Sequence, residues 1–208
     1  MKAKICGITD SKTLDFIINH NYPPEFIGFI CNYPRSHRNL KLNYLKKLIN
    51  VKNKNGINFV SVLVNPNEKI LDEIKKLNFD YVQLYDVGPD KTKFIKQKYK
   101  FKIISAVTID RSVDLKKYYF YKDLSEIILF DSKGYEKSLS FDHKILKNIP
   151  ITITRMLAGN IKYNDKLDNY RKIADIIDIS GSLETKGKKD IFKINTFLQN
   201  LNKLKIKI

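Results

Sequence analysis

In Glu126-Ile127-Ile128-Leu129-Phe130-Asp131, four apolar residues run unbroken between two carboxylates. A strand with one wet face alternates apolar and polar side chains, whereas a run without polar gaps suits a parallel strand covered on both faces. Similar runs recur along the chain. Strands are expected at Ala3 to Ile8, Phe26 to Cys31, Ile57 to Val64, Tyr81 to Tyr85, Lys102 to Ile109, Glu126 to Asp131, Ile151 to Ala158 and Asp175 to Ser180. Their starts are spaced by roughly 20 to 30 residues, the length of one βα unit. Helical periodicity fills the gaps: Ile70, Leu71, Ile74 and Leu77 form one apolar stripe, and Ile191, Ile194, Leu198 and Leu201 form another. Eight such units predict an α/β fold, a (βα)8 TIM barrel with a closed, parallel eight-stranded sheet and outer helices. One domain over residues 1–208 is expected. The seventh strand departs from the rule, because it alternates and contains Arg155, for which an internal ion pair is the expected accommodation.

Composition narrows the function classes. Of 208 residues 43% are hydrophobic, enough for one real core. The formal charge is +17, from 39 lysines and arginines against 22 acids. Such a field favours polyanions, but the lysines are spread over nearly every predicted helix and no nucleic-acid motif is present. Solvated lysine faces are the better reading, with no nucleic-acid partner and attraction of a small, highly charged anion. No apolar run is long enough to span a membrane, and Met1-Lys2 leads directly into a strand, so a soluble, cytoplasmic protein without a membrane partner is expected. Cys6 and Cys31 make no disulfide framework. His20, His37 and His143 show no metal-ligand spacing, and no dinucleotide fingerprint or Walker loop occurs, so neither metal nor cofactor is expected. Outer barrel helices can be solvated or can pair, which leaves monomer and homodimer both open.

Chemistry in such barrels sits where strand ends meet the following loops. Reading those ends yields Cys6, Pro34-Arg35, Gln83 to Asp86, Asp131-Ser132, Gly159-Asn160, and Asp178 to Ser182. Cys6 and Asp131, on strands one and six, would face each other across the barrel mouth. A lone cysteine there is commonly a small buried hydrophobe, and a lone aspartate commonly caps a helix. Together they can form a base and acid pair, with the thiol pulled down by a cation or helix N-termini and the carboxyl pushed up by burial. Arg35 either binds a carboxylate or stays at the surface. Gly159-Asn160 and Ser180-Gly181-Ser182 stand after strands seven and eight, where barrels of this kind commonly bind phosphate through backbone N–H groups.

These residues resemble the phosphoribosylanthranilate isomerase family over essentially the whole chain. The resemblance is carried by Lys4-Ile5-Cys6-Gly7-Ile8-Thr9, Gly28-Phe29-Ile30 followed by Pro34-Arg35, Val82-Gln83-Leu84, Leu129-Phe130-Asp131-Ser132, Phe141-Asp142, Leu157-Ala158-Gly159, and Asp178-Ile179-Ser180 leading to Glu184 and Gly187-Lys188-Lys189-Asp190. It implies an Amadori rearrangement of N-(5-phosphoribosyl)anthranilate without cofactor or metal. Asp131 would be the general acid, Cys6 the base at C2, and Arg35 the holder of the anthranilate carboxylate. The loops at Gly159 and Ser180-Gly181-Ser182 would hold the phosphate. The chain also departs from the family's pattern. Gly159-Asn160 replaces two glycines, Ser180-Gly181-Ser182 replaces Ser-Ser-Gly, Tyr85 stands where a histidine is usual, and the glycine-rich loop after strand six is reduced to Gly134, beside Lys133 and Lys137 as candidate compensating cations.

Overall fold

Strand alternation decides which side chains meet. The computed structural model of the protein describes residues 1–132 and 141–206. The barrel strands are β1 (Lys2–Cys6), β2 (Phe26–Ile30), β3 (Asn58–Val64), β4 (Tyr81–Tyr85), β5 (Ile103–Ile109), β6 (Ile127–Ser132), β7 (Arg155–Leu157) and β8 (Ile176–Ile179). Each pairs in parallel with the next, and β8 returns to β1 through Ala3 opposite Ile177 and Lys4 opposite Asp178, closing the barrel. Two apolar cores follow from the pleat. Phe26, Val60, Val62, Ile104, Leu129 and Met156 pack inside the barrel with Cys6 and Tyr85. The alternate residues, among them Ile5, Phe59, Ile128, Phe130 and Ile177, pack in the larger core beneath the helices.

Local chemistry sets the helix ends. The carboxylate of Asp10 accepts the N–H of Thr13 at 2.8 Å and opens α1 (Ser11–Ile18). After α2 (Leu42–Leu48), the side chain of Asn67 accepts the N–H of Ile70 at 3.0 Å and opens α3 (Glu68–Lys75). Proline occupies the first turn of α4 (Pro89–Tyr99), and Lys100 ends it in a left-handed turn at φ 55°. α5 (Ile191–Ile206) buries Ile194, Phe197, Leu198 and Leu201. Among the described residues no helix is long and apolar enough to cross a membrane.

Within the expected barrel two local details are corrected. The described outer layer between β5 and β8 consists of 3₁₀ turns, at Ser112–Phe120, His143–Asn148 and Leu167–Tyr170. The last two have 6 and 4 residues, too few to offset helix nucleation. The seventh strand shrinks from Ile151 to Ala158 to the three residues of β7. Ile151 is 89% exposed and the N–H of Ile153 returns to the carbonyl of Pro150 at 3.0 Å, so the alternation there belongs to a turn. Arg155 does find an ion pair: buried at the start of β7, its guanidinium donates to Asp175 at 3.2 Å.

Candidate active site

The strand ends open onto a cavity of about 610 Å³. Cys6, Gln83, Tyr85, Asp131 and Asp178 line it, all at inward positions of β1, β4, β6 and β8. Period-two alternation alone delivers them to one volume, which is how a sulfur and a carboxyl so distant in sequence come to share it. Gly159, Asn160, Ser180, Gly181 and Ser182 line the same cavity from the loops after β7 and β8. Among the described residues no cluster of three or more histidine, cysteine or acidic side chains is arranged to hold a metal.

Lys4, fully buried on β1, donates through Nζ to Asp178 Oδ2 at 2.8 Å. The ammonium also lies beside the thiol, and Gly28 leaves room for both: a Cβ there would stand 2.8 Å from Cys6 Sγ and 3.0 Å from Lys4 Nζ. Burial would lower the lysine, but Asp178 and Cys6 outweigh it and keep the ammonium charged, above its ordinary range. Cys6 moves against expectation. Burial in the apolar interior pushes its thiol up, and the Lys4 cation only partly opposes this. Asp131 moves as expected, pushed up to about 6 by burial first, while a hydrogen bond from Tyr85 works the other way. That bond runs from the phenol to Asp131 Oδ2 at 2.7 Å. Burial and the neighbouring carboxylates push the Tyr85 phenol well above its ordinary value, so it stays a donor.

The two loops are built for close approach. Gly159 has φ +90°, and a Cβ there would come within 2.3 Å of Ser132 Oγ. Asn160 follows in the left-handed region at φ 55°, which asparagine tolerates. Across the mouth, Ser180 Oγ donates to the carbonyl of Cys6 at 2.9 Å and Lys189 Nζ donates to the carbonyl of Ser180 at 3.0 Å. Gln83 Oε1, Asp178 Oδ1 and Ser182 Oγ are buried without a hydrogen-bond partner among the described residues. Polar atoms so placed on cavity-lining side chains suit a ligand rich in hydroxyl and phosphate oxygens.

Arg35 does not join this set. It is exposed and lies outside the cavity lining, whereas Arg38 lines the cavity. The Arg38 stem crosses Gly7, where a Cβ would stand 2.5 Å from its Cδ. Its guanidinium donates to Glu184 through Nε at 2.5 Å and Nη2 at 2.8 Å. Glu184 also accepts from Lys189 at 2.7 Å, on the small hairpin β9 (Glu184–Thr185) and β10 (Lys188–Lys189). Sequence reasoning missed Arg38, whose loop carries no periodicity. It also missed Lys4, although a lysine at an inward position between Ala3 and Ile5 was a readable signal. Lys133, Gly134 and Lys137 lie outside the described residues.

Comparison with known proteins agrees with this geometry. The family model described as N-(5'-phosphoribosyl)anthranilate (PRA) isomerase matches residues 3–200. The N-(5'-phosphoribosyl)anthranilate isomerase of Campylobacter jejuni is 33% identical over 213 residues, covering 98% of this chain and all of its own. The crystal structure of the phosphoribosyl anthranilate isomerase from Thermotoga maritima superposes with a TM-score of 0.84 at 24% identity, covering 98% of this chain and 99% of its own. A phosphoribosyl anthranilate isomerase in complex with reduced 1-(o-carboxyphenylamino)-1-deoxyribulose 5-phosphate superposes at 0.82 with 23% identity over the same shares. With a match running from β1 into α5, the chain belongs to the N-(5'-phosphoribosyl)anthranilate isomerase family.

Proposed function

We infer that this chain, as one barrel unit over residues 1–208, is an aldose-ketose isomerase of tryptophan biosynthesis. It converts N-(5-phosphoribosyl)anthranilate into 1-(2-carboxyphenylamino)-1-deoxyribulose 5-phosphate, in the cytoplasm and without a cofactor. The observation that carries the reading is the pairing of Cys6 and Asp131 in one cavity with donor-rich loops on its rim. Asp131, protonated, gives its proton to the ribose ring oxygen; the C1–O bond breaks as the anilino nitrogen forms a C1=N bond. Cys6, as thiolate, takes the proton from C2, and that electron pair makes a C1=C2 enaminol. Ketonisation returns a proton to C1, so the product is an isomer and no oxidant or reductant enters.

Binding follows from charge. The phosphate fits the Gly159-Asn160 and Ser180-Gly181-Ser182 loops. The anthranilate carboxylate fits Arg38, which the cavity admits and which replaces Arg35 in that role. Gln83 and Asp178 accept hydrogen bonds from ribose hydroxyls through their buried oxygens. The surplus of lysine draws the doubly anionic substrate inward and needs no nucleic acid to explain it.

Burial also decides how the protons are shared. With Asp131 at about 6 and Cys6 above its ordinary value, a singly protonated pair rests mainly as carboxylate and thiol. The working form, acid with thiolate, is the minor tautomer of the same charge state. Accordingly kcat/KM rises through an acid limb near pH 6, where Asp131 titrates, and falls through an alkaline limb set by the thiol. Cys6→Ser and Asp131→Asn should each abolish turnover in a fluorescence assay of the anthranilate substrate while circular dichroism stays native. Near-wild-type turnover in either variant would refute the assigned roles.

A further inference from the structure

We propose that Tyr85 is the positioning residue of the acid: its hydroxyl clamps Asp131 Oδ2, so that Oδ1 carries the proton delivered to the substrate. The inference rests on the reading of Asp131 as general acid. Tyr85 ends β4 and Asp131 stands near the end of β6, with β5 between them. Beside Tyr85 that intervening strand presents the small Ala106 to the interior, with Thr108 paired to Asp131 two residues on, so a phenol has room to reach across. The contact of 2.7 Å lies in the range of a hydrogen bond to an ionised carboxylate. Both partners sit in a low-dielectric interior, where a fixed donor is worth more than in water.

An oxygen that accepts a hydrogen bond is the poorer site for an added proton, because acceptance favours its carbonyl form. Oδ2 is thereby the disfavoured site for the proton, and the backbone N–H of Ser132 also donates to this carboxylate and helps to hold it in place. The bond from Tyr85 steadies the carboxylate left behind after proton transfer, making Asp131 a stronger acid than burial alone would allow. Among the described residues, the ionisable groups acting on Asp131 are Tyr85 on β4, Lys4 on β1 and Asp178 on β8, with Cys6 acting on the phenol. Of these, Tyr85 is the one that donates directly to the acid without changing its own charge over the working range. An imidazole in its place would titrate near neutrality and add a second proton to the acid limb.

Tyr85→Phe keeps the ring and removes the donor. The acid limb of kcat/KM should then move up by about one pH unit, the size expected for a lost hydrogen bond to a charged group. KM should change less than kcat, since the phosphate and carboxylate contacts are untouched. Tyr85→His should broaden the acid limb across two titrations. A measurement without turnover runs beside these: the infrared band of the protonated Asp131 carboxyl, identified by its loss in Asp131→Asn, should titrate at higher pH in Tyr85→Phe than in wild type. An inactive Asp131→Asn protein together with an unmoved limb and band in Tyr85→Phe overturns the role of Tyr85 alone. Turnover persisting in Asp131→Asn overturns the acid assignment beneath it.

Discussion

Glu184→Gln removes one charge from the strap across the barrel mouth, and its cost can be worked from the contacts. The carboxylate accepts from Arg38 at 2.5 Å and 2.8 Å and from Lys189 at 2.7 Å, with His37 Nε2 at 3.2 Å. Its side chain is 8% exposed and that of Lys189 1%. Burial alone would raise the carboxyl, but Arg38 and Lys189 override it and hold the group down to about 2, against an ordinary 4.5. At 1.36 kcal/mol per unit, that difference corresponds to about 3 kcal/mol of folding stability. The amide keeps the shape and one acceptor oxygen, yet it removes the charge that neutralises the buried Lys189 ammonium, whose other acceptors are the Ser180 oxygens. With a urea m-value of about 2 kcal/mol/M, the unfolding midpoint should fall by about 1.5 M near neutral pH. The sign of the pH dependence is fixed. A depressed carboxyl stabilises fully above its unfolded value and loses that contribution as pH falls toward the folded one, so the gap between the proteins should close between about pH 4.5 and 2. KM should rise about tenfold as well, because Arg38 loses the brace that aims it. Equal urea midpoints near neutrality, or a gap that stays constant on acidification, would show that Glu184 is not the electrostatic hub described.

Two further outcomes follow from single contacts. Gly159→Ala puts a Cβ 2.3 Å from Ser132 Oγ and 3.0 Å from its backbone nitrogen at φ +90°, so the loop must shift; stability should fall by about 1–3 kcal/mol and KM should rise more than kcat falls, and an unchanged KM would exclude the loop from phosphate binding. Lys4→Met removes the cation that opposes the burial of Cys6, so iodoacetamide alkylation of Cys6 near pH 8 should slow about tenfold in the native protein and remain unchanged after denaturation; equal native rates would count against Lys4 as the counter-ion.

Period-two packing explains what could be read in advance. Continuous runs such as Ile127 to Phe130 expose no polar face, so they had to be covered strands, and their spacing left little besides a closed barrel. The parity that hides Ile5, Ile128 and Ile177 beneath the helices sends Cys6, Asp131 and Asp178 inward, and the central site was legible for that reason. Ile151 to Thr154 misled because a turn can alternate as well as a strand can. Arg38 was illegible for a different reason. Its placement depends on the missing Cβ of Gly7 and on Glu184, which arrives from the far end of the chain, and neither contact leaves a local pattern.

The direction of the Cys6 shift exposes a constraint that the barrel places on its own chemistry. Inward parity gathers the acid and the base into the same apolar interior, where desolvation penalises both anions and raises both groups. Burial suits the acid but not the base, so the thiol needs a neighbour that opposes it, whereas the carboxyl can bear only a neighbour that leaves it able to take up a proton. Lys4 serves the thiol as a buried cation two residues away on the same strand, and Tyr85 serves the carboxyl as a neutral donor two strands away. Exchanging those neighbours would fail on electrostatic grounds: an ammonium against Asp131 would keep it ionised and unable to donate, while a phenol beside Cys6 would supply no positive charge to hold a thiolate. The working tautomer thus depends on which strand carries which neighbour. The pleat settled that arrangement once Lys4 shared a face with Cys6, and Tyr85 took the inward position at the end of β4.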